Sequence, residues 1–502
     1  MNYGGIKKNI ISNYVGRSYS ILSIYIYTPV YIKILGIESF GVISFFNILL
    51  LLTVVADVGL SSTFTREAAR SESKGHLLKL LCSIEIPLIV AATVVALIPF
   101  FLSGPISEKW FESPALISSQ DISNSVKIMS ATIPVQMLIT LYSSGLMGLQ
   151  KQVQFNKVQM LYVTIRSGLV VPFIYFVPRV DAFLLWQLVS MIVFALIFRL
   201  KLSRSMGSPG LAVAMPSIRL LRSIAGFSSG AFAIAAISNL NNQLDKIFVS
   251  AHFSVAEFGN FGAASTITQI ANAVVAPIIA AIFPVLVVKV AQRDQAGKSE
   301  LYESVSIVIA FCASLATFFL FFFADDVLAV WLGADTESHI GDIVRLLSLG
   351  WLFFALQLMP THLSLAEGDT LPVVAAGIGM FLIAAPLLFW LADIYGLVGA
   401  AIPWFLGNVV SFFILSTVVL RRYFTGSALG WLVRCTAVPI GISGCIAGLT
   451  KAATNYFDLG PLISCLAAGF VGVAALFLFG RWSLPVLTRL SIVDRGPGDA
   501  SH

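Results

Sequence analysis

Apolar runs of about 20 residues, the length that crosses a bilayer core, recur from residue 10 to residue 480, with short polar turns between them. They predict an all-α polytopic membrane protein of about fourteen transmembrane helices. The expected spans are 10–34, 40–62, 77–102, 125–148, 158–177, 182–203, 223–250, 258–285, 303–330, 341–365, 371–392, 396–420, 432–452 and 461–480. Strict two-residue alternation is absent, which argues against a transmembrane barrel. The start, MNYGGIKKNIISNYVG, is basic and then apolar, as a signal peptide is. Arg17 interrupts that run, the apolar stretch continues to Leu35, and no small-residue cleavage site stands out, so a retained first helix is expected.

Composition agrees with this pattern. The chain is 58% hydrophobic and 11% charged, with mean hydropathy +0.91, against about 25% charged residues in a soluble domain. The net charge of +6 reports loop lysines and arginines, so nucleic-acid binding is not read from it. Cys82, Cys312, Cys435, Cys445 and Cys465 lie in apolar segments without a CxxC pair and read as small hydrophobes. The five histidines are scattered, so neither a metal nor another cofactor is expected.

Charge gives orientation and domain limits. Lys7, Lys8, Arg66, Arg70, Lys151, Lys157, Arg199, Lys201, Arg204, Arg219 and Arg222 fall on one side, with further cations towards the C-terminus. Glu108, Glu112, Asp121, Asp335, Glu337 and Asp458 fall on the other. The positive side is cytoplasmic, and both termini are expected there. The basic stretch 199–222 divides the chain. The expected organisation is an N-terminal lobe at 1–205, a cytoplasmic linker at 206–222, a C-terminal lobe at 223–420, two added helices at 421–482 and a cytoplasmic tail at 483–502. LGIESFGVISFFNIL (35–49) and FSVAEFGNFGAASTI (253–267) each close a hairpin and place Phe-Gly just after Glu38 or Glu257. They suggest two six-helix lobes related by an axis along the membrane normal.

The stretch NLNNQLDKIFVS (239–250) carries the densest polar content inside an apolar segment. At 100° per residue, Asn239, Asn242, Gln243 and Lys246 share a face, and Asp245 borders it. Such a face must meet protein or water. A hydrated central cavity is one reading; local pairing of Asp245 with Lys246 at the interface is the other. Arg17, Asp57 and Arg166 lie at a similar depth, on the order of 10 Å from the cytoplasmic surface, and Glu85 lies about two turns into its helix. Together they suggest a polar chamber, against the alternative of snorkelling arginines. Gln269 and Asn272, and Arg345, Gln357 and His362, add polar groups in the second half. For the amides the alternative is interhelical hydrogen bonding; for Arg345 it is pairing with Asp342.

Four stretches carry a family resemblance. PVYIKILGIESFGVISF (29–45), ADVGLSSTFTREAAR (56–70), GLMGLQKQVQFNKVQ (145–159) and YGLVGAAIPW (395–404) resemble, in order, parts of polysaccharide-transport flippases. The chain is similar to the O-antigen or lipid-linked oligosaccharide flippases, within the superfamily that also holds multidrug and toxic-compound extrusion transporters. The resemblance implies two six-helix lobes around a central cavity and two extra helices. It implies transport, without catalysis, of an undecaprenyl-diphosphate-linked oligosaccharide across a bacterial inner membrane. It also implies coupling to a proton or sodium gradient and partnership with the bilayer and a polysaccharide polymerase complex. No GxxxxGK[ST] phosphate loop is present.

For such a cargo, Arg17, Arg166 and Lys246 are the candidate diphosphate ligands, since cations are needed there and guanidinium groups pair bidentately with phosphate. Asn239, Asn242, Gln243 and Gln269 are the candidate sugar contacts. Asp57, Asp245 and Glu85 are candidates for charge balance or ion coupling. The rivals are a cation-coupled drug or metabolite efflux antiporter, a membrane glycan polymerase or ligase, and a scaffold or scramblase. Short outer loops argue against the polymerase. Embedded cations at least matching the acids argue against a site for organic cations.

Overall fold

In the computed structural model, residues 3–57, 59–70, 73–111, 117–207, 215–217, 236–333 and 338–492 are described. The start of the expected seventh helix (223–235), most of the 206–222 linker, the end of the tail, and Glu112, Arg219, Arg222, Asp335 and Glu337 lie outside them. Among the described residues, ten helices are long and apolar enough to span a membrane, and the chain is an all-helical multi-pass protein. It packs as two compact bodies, one ending at Ala263 and one beginning at Ala264.

The first body opens with the helix Tyr3–Leu35. Gly36 (φ 85°) then turns the chain into the Ile37–Leu49 helix. The single span expected at 40–62 is broken: Leu51–Asp57 and Leu60–Arg70 are separate helices. Asp57 accepts hydrogen bonds from the Ser61 amide (3.2 Å) and hydroxyl (2.6 Å), capping the Leu60–Arg70 helix. Three further helices follow at Lys74–Phe101, Ser119–Gly148 and Val180–Ser205. Between the last two, Gln152–Val163 runs through a π turn at Thr164–Gly168 into Val170–Phe176. The outer connection expected at 103–124 is partly ordered by a π turn at Ile106–Trp110, from which the Trp110 indole donates to Ser250 Oγ at 3.1 Å.

The two similar hairpin sequences meet in space. The helix Val255–Thr268 starts with a capping box, in which Ser254 Oγ accepts from the Glu257 amide and Glu257 accepts from the Ser254 amide. A methyl placed on Gly41 would overlap the Val255 carbonyl oxygen and sit 3.2 Å from Gly259 N. A methyl on Gly259 would overlap the Ile37 carbonyl oxygen and sit 3.2 Å from Gly41 N. The contacts are reciprocal at one sequence offset, as a local two-fold axis requires. Two glycines at the crossing let the backbones touch.

The second body continues from Ile270–Ala291 through Gln295–Phe322, Ser338–Leu356 and Leu358–Ala366. The helical stretch Leu371–Tyr423 has 53 residues, about 80 Å if straight against a hydrocarbon core of about 30 Å. It breaks at Gly396 (φ 59°, ψ −140°). A methyl on Gly399 would overlap the Leu391 carbonyl oxygen, eight residues back, so the chain reverses there. This matches the expected division between 371–392 and 396–420. Val438–Tyr456 and Pro461–Ile492 end the described chain and pack on Gln295–Phe322. The body's core joins Tyr302, Val305, Ile309, Leu352, Phe412 and Trp431.

Candidate functional site

Nine of the ten candidate residues lie in the first body, and the structure separates them into groups. Arg17 is exposed on the first helix. That helix lies close against Gln152–Val163, since a methyl on Gly16 would overlap the Asn156 side chain. Two residues beyond Arg17, the Tyr19 hydroxyl shares a 2.6 Å hydrogen bond with Thr164 Oγ1. Arg166 stands two residues beyond Thr164, so both arginines flank one contact between these helices.

Arg166 rides in the π turn, a distortion found often at functional sites. A π turn frees carbonyls from the helix, and here they find partners. The Trp186 indole donates to the Ile165 carbonyl at 3.0 Å, Gln187 Nε2 to that of Arg166 at 3.1 Å, and the Tyr31 hydroxyl to that of Ser167 at 2.6 Å. Gln187 Oε1 accepts from Arg166 Nε at 2.5 Å, and the guanidinium carbon is 5.6 Å from the centre of the Tyr162 ring. The guanidinium is thus aimed by a neutral amide and an aromatic face. Among the described residues neither Arg17 nor Arg166 forms an ion pair.

Glu85 does not join this group. Its carboxylate pairs with Arg199 (Nε to Oε1, 2.6 Å), and the two side chains are 15% and 7% exposed. Arg199 also donates to Ser203 Oγ and lies 5.7 Å from the centre of the Tyr142 ring. Arg199, counted among the cations of one side, is a buried residue of the Val180–Ser205 helix, and Glu85 is its counter-charge. A signal was present: Cys82 with Glu85, and Arg199 with Ser203, are polar pairs at helical spacing in otherwise apolar helices.

The polar stretch is helical from residue 236 to residue 252. Its buried edge is Asn241, Asp245, Phe248 and Val249, one position round from the predicted stripe. Asn239, Asn242, Gln243 and Lys246 are half-buried beside it. Lys246 Nζ donates to the Asn242 carbonyl at 3.0 Å and lies 3.5 Å from Asp245 Oδ1, so the local pair expected as the alternative does form. Gln243 Oε1 is buried with no hydrogen-bond partner among the described residues.

In the second body, Gln269 is exposed at the break between two helices, and its amide donates to the Ser265 carbonyl of its own chain segment at 3.2 Å. Gln357 is a structural node, bonded to Asn408 (2.9 Å) and Ser411 (2.8 Å). Arg345 pairs with Asp325 and Asp342. His362 bonds the Leu358 carbonyl at 2.7 Å. Gln357 and Arg345 follow the structural alternatives stated above. Among the described residues no group of three metal-ligating side chains occurs.

Comparison with known proteins adds family and fold. The sequence profile described as "Polysaccharide biosynthesis protein" matches residues 6–289. No curated protein sequence matches the chain. Among solved structures, the lipid II flippase MurJ in its inward closed conformation is similar, with TM-score 0.71, 14% identity, and 94% of this chain and 98% of that one covered. An inward-facing multidrug resistance MATE family transporter of the MOP superfamily has TM-score 0.60 and 17% identity, with coverage of 81% and 94%. A MOP superfamily transporter from Pyrococcus furiosus has TM-score 0.57 and 16% identity, with coverage of 83% and 96%. At these identities the likeness is one of fold.

Proposed function

The chain belongs to the polysaccharide biosynthesis protein family, and we propose that it flips an undecaprenyl-diphosphate-linked oligosaccharide from the cytoplasmic to the outer leaflet of a bacterial inner membrane. The observation that carries this reading is the contrast among three helix-borne arginines. Arg199 is neutralised by Glu85, whereas Arg17 and Arg166, flanking one helix contact, are ion-paired with nothing among the described residues. A guanidinium without a carboxylate partner is open to an anion, and a diphosphate supplies one in the geometry a guanidinium binds best.

In this mechanism the apolar tail stays in lipid while the head group crosses in water. Gln187 and the Tyr162 ring hold Arg166 in position, and its two terminal nitrogens face the diphosphate. Lys246 is a further cation for the head group, and Asn239, Asn242 and Gln243 bond glycan hydroxyls. Asp245 balances Lys246, and a proton or sodium gradient drives the exchange of states. A polysaccharide polymerase takes up the product at the outer face, and both termini lie in the cytoplasm.

The test is complementation of a strain lacking the gene, with wild type, Arg17→Ala, Arg166→Ala and Lys246→Ala at matched expression. Wild type restores surface polysaccharide and clears the lipid-linked intermediate from the inner leaflet, and the arginine variants do not. Intact surface glycan in the deletion strain, with raised sensitivity to cationic drugs, would replace this reading by efflux of organic cations.

A further inference from the structure

A second cationic site lies in the first body, lined by none of Arg17, Arg166, Asp245 and Lys246. The N-terminal turns of Gln152–Val163 and the C-terminal turns of Val180–Ser205 enclose a cavity of about 460 Å³. Lys151, Lys157, Lys201 and Arg204 line it with Gln154 and Ser205, and no acidic residue does. The wall is fixed where Ser205 Oγ meets Gln154 Oε1 at 3.4 Å and the Lys201 carbonyl at 2.9 Å. None of the four cationic side chains makes a hydrogen bond or ion pair among the described residues.

Elsewhere in this protein, several cations near helix ends pair with acids: Lys289 with Asp294, Lys298 with Glu367, Arg422 with Asp369. Four like charges converging on one concavity repel one another, and an anion relieves that repulsion. Three lysines supply point charges and one arginine a planar fork, the mixture that suits phosphate oxygens. The site also borders lipid-compatible surface. Leu161, one turn beyond Lys157, is 52% exposed, and Leu196, two turns before Arg204, is 51% exposed. A head group held in the cavity leaves its acyl chains beside apolar side chains. The excess of Lys and Arg puts this end of the helices at the cytoplasmic leaflet, where basic pockets between transmembrane helices take anionic head groups.

We infer that this cavity binds the phosphate head group of an anionic lipid in the inner leaflet. The phosphate belongs either to a bulk phospholipid or to a polyprenyl diphosphate. The inference does not rest on the assignment of Arg17 and Arg166 to a cargo.

The test is binding to the full-length protein in nanodiscs of zwitterionic lipid, titrated with phosphatidylglycerol, undecaprenyl diphosphate or inorganic pyrophosphate. Wild type is compared with the variant Lys151→Gln, Lys157→Gln, Lys201→Gln, Arg204→Gln. A charge-keeping variant, Lys151→Arg, Lys157→Arg, Lys201→Arg, controls for folding. We expect the neutral variant to lose about tenfold or more in affinity for an anionic lipid, with a weaker salt dependence, and the arginine variant to keep binding. Loss confined to phosphatidylglycerol identifies bulk lipid as the source, and loss confined to undecaprenyl diphosphate identifies a polyprenyl carrier. Unchanged affinity for both lipids in the neutral variant overturns the inference, whether or not pyrophosphate binding falls.

Discussion

Replacing Arg199 with methionine leaves the Glu85 carboxylate among apolar helices without its counter-charge. In the native protein the pair is held at 2.6 Å with both side chains largely withdrawn from solvent. Removing one partner of a buried ion pair costs about 3–5 kcal/mol, while replacing both by apolar groups of similar size is close to neutral or stabilising. The converse single change, Glu85→Gln, leaves Arg199 its Ser203 hydroxyl and the Tyr142 ring, so it costs less than Arg199→Met. The order expected is therefore Arg199→Met least stable, Glu85→Gln intermediate, and Glu85→Leu with Arg199→Met near wild type. The assay is unfolding of the purified protein in mixed micelles by sodium dodecyl sulfate, followed by tryptophan fluorescence. A double variant as unstable as the sum of its singles would refute the reasoning, because independent losses cannot arise from one charge pair.

Other consequences follow from particular contacts. Gly259→Ala pushes a methyl into the Ile37 carbonyl, and overpacking of this kind costs about 1–3 kcal/mol; the same unfolding assay reads it, and Gly379→Ala, which meets open space, is the neutral control. Gly396→Ala forces an L-residue into φ 59°, ψ −140°, at about 1–3 kcal/mol, read as a lower unfolding midpoint. Asp369, in the turn before Leu371, is held below the usual carboxylate range by the Tyr423 hydroxyl, the Leu371 amide and Arg422. A lowered folded-state value means its contribution is present above the unfolded pKa of about 3.9 and is lost as pH falls through the lower folded value. Asp369→Asn therefore removes part of the acid loss of stability between neutral pH and pH 3, measured by the same titration at stepped pH. Gln187→Leu releases the Arg166 guanidinium without removing its charge, so glycan export in the complemented strain falls while protein abundance holds.

Helix placement was readable in the chain because lipid demands long apolar runs, and loop charge then orders them. The hairpin at Gly396 was legible for the same reason: no 53-residue helix fits a bilayer. The new helix at Leu60 was hidden, because ADVGLSS keeps the apolar rhythm and only the Asp57–Ser61 cap reveals it. The Phe-Gly pair at 40–41 and 258–259 signalled a repeat, but the backbone contact between Gly41 and Gly259 needed coordinates. Among the candidate residues, depth along a helix was a poor guide to company. It grouped Glu85 with Arg17 and Arg166, although direction round the helix sends Glu85 to Arg199. One-residue errors of helical phase also matter: Asn241, not Asn242, shares the most buried edge with Asp245.

The central claim is that Arg17 and Arg166, which form no ion pair among the described residues, serve a diphosphate cargo. Its most direct test is translocation of a fluorescent undecaprenyl-diphosphate-linked glycan by the purified protein in liposomes, with Arg17→Ala and Arg166→Ala beside wild type. Wild type moves the lipid across the bilayer and each arginine variant slows it by about tenfold or more, as loss of a charged hydrogen-bond partner worth about 1.5–3 kcal/mol requires. Equal rates in wild type and both variants would contradict the account.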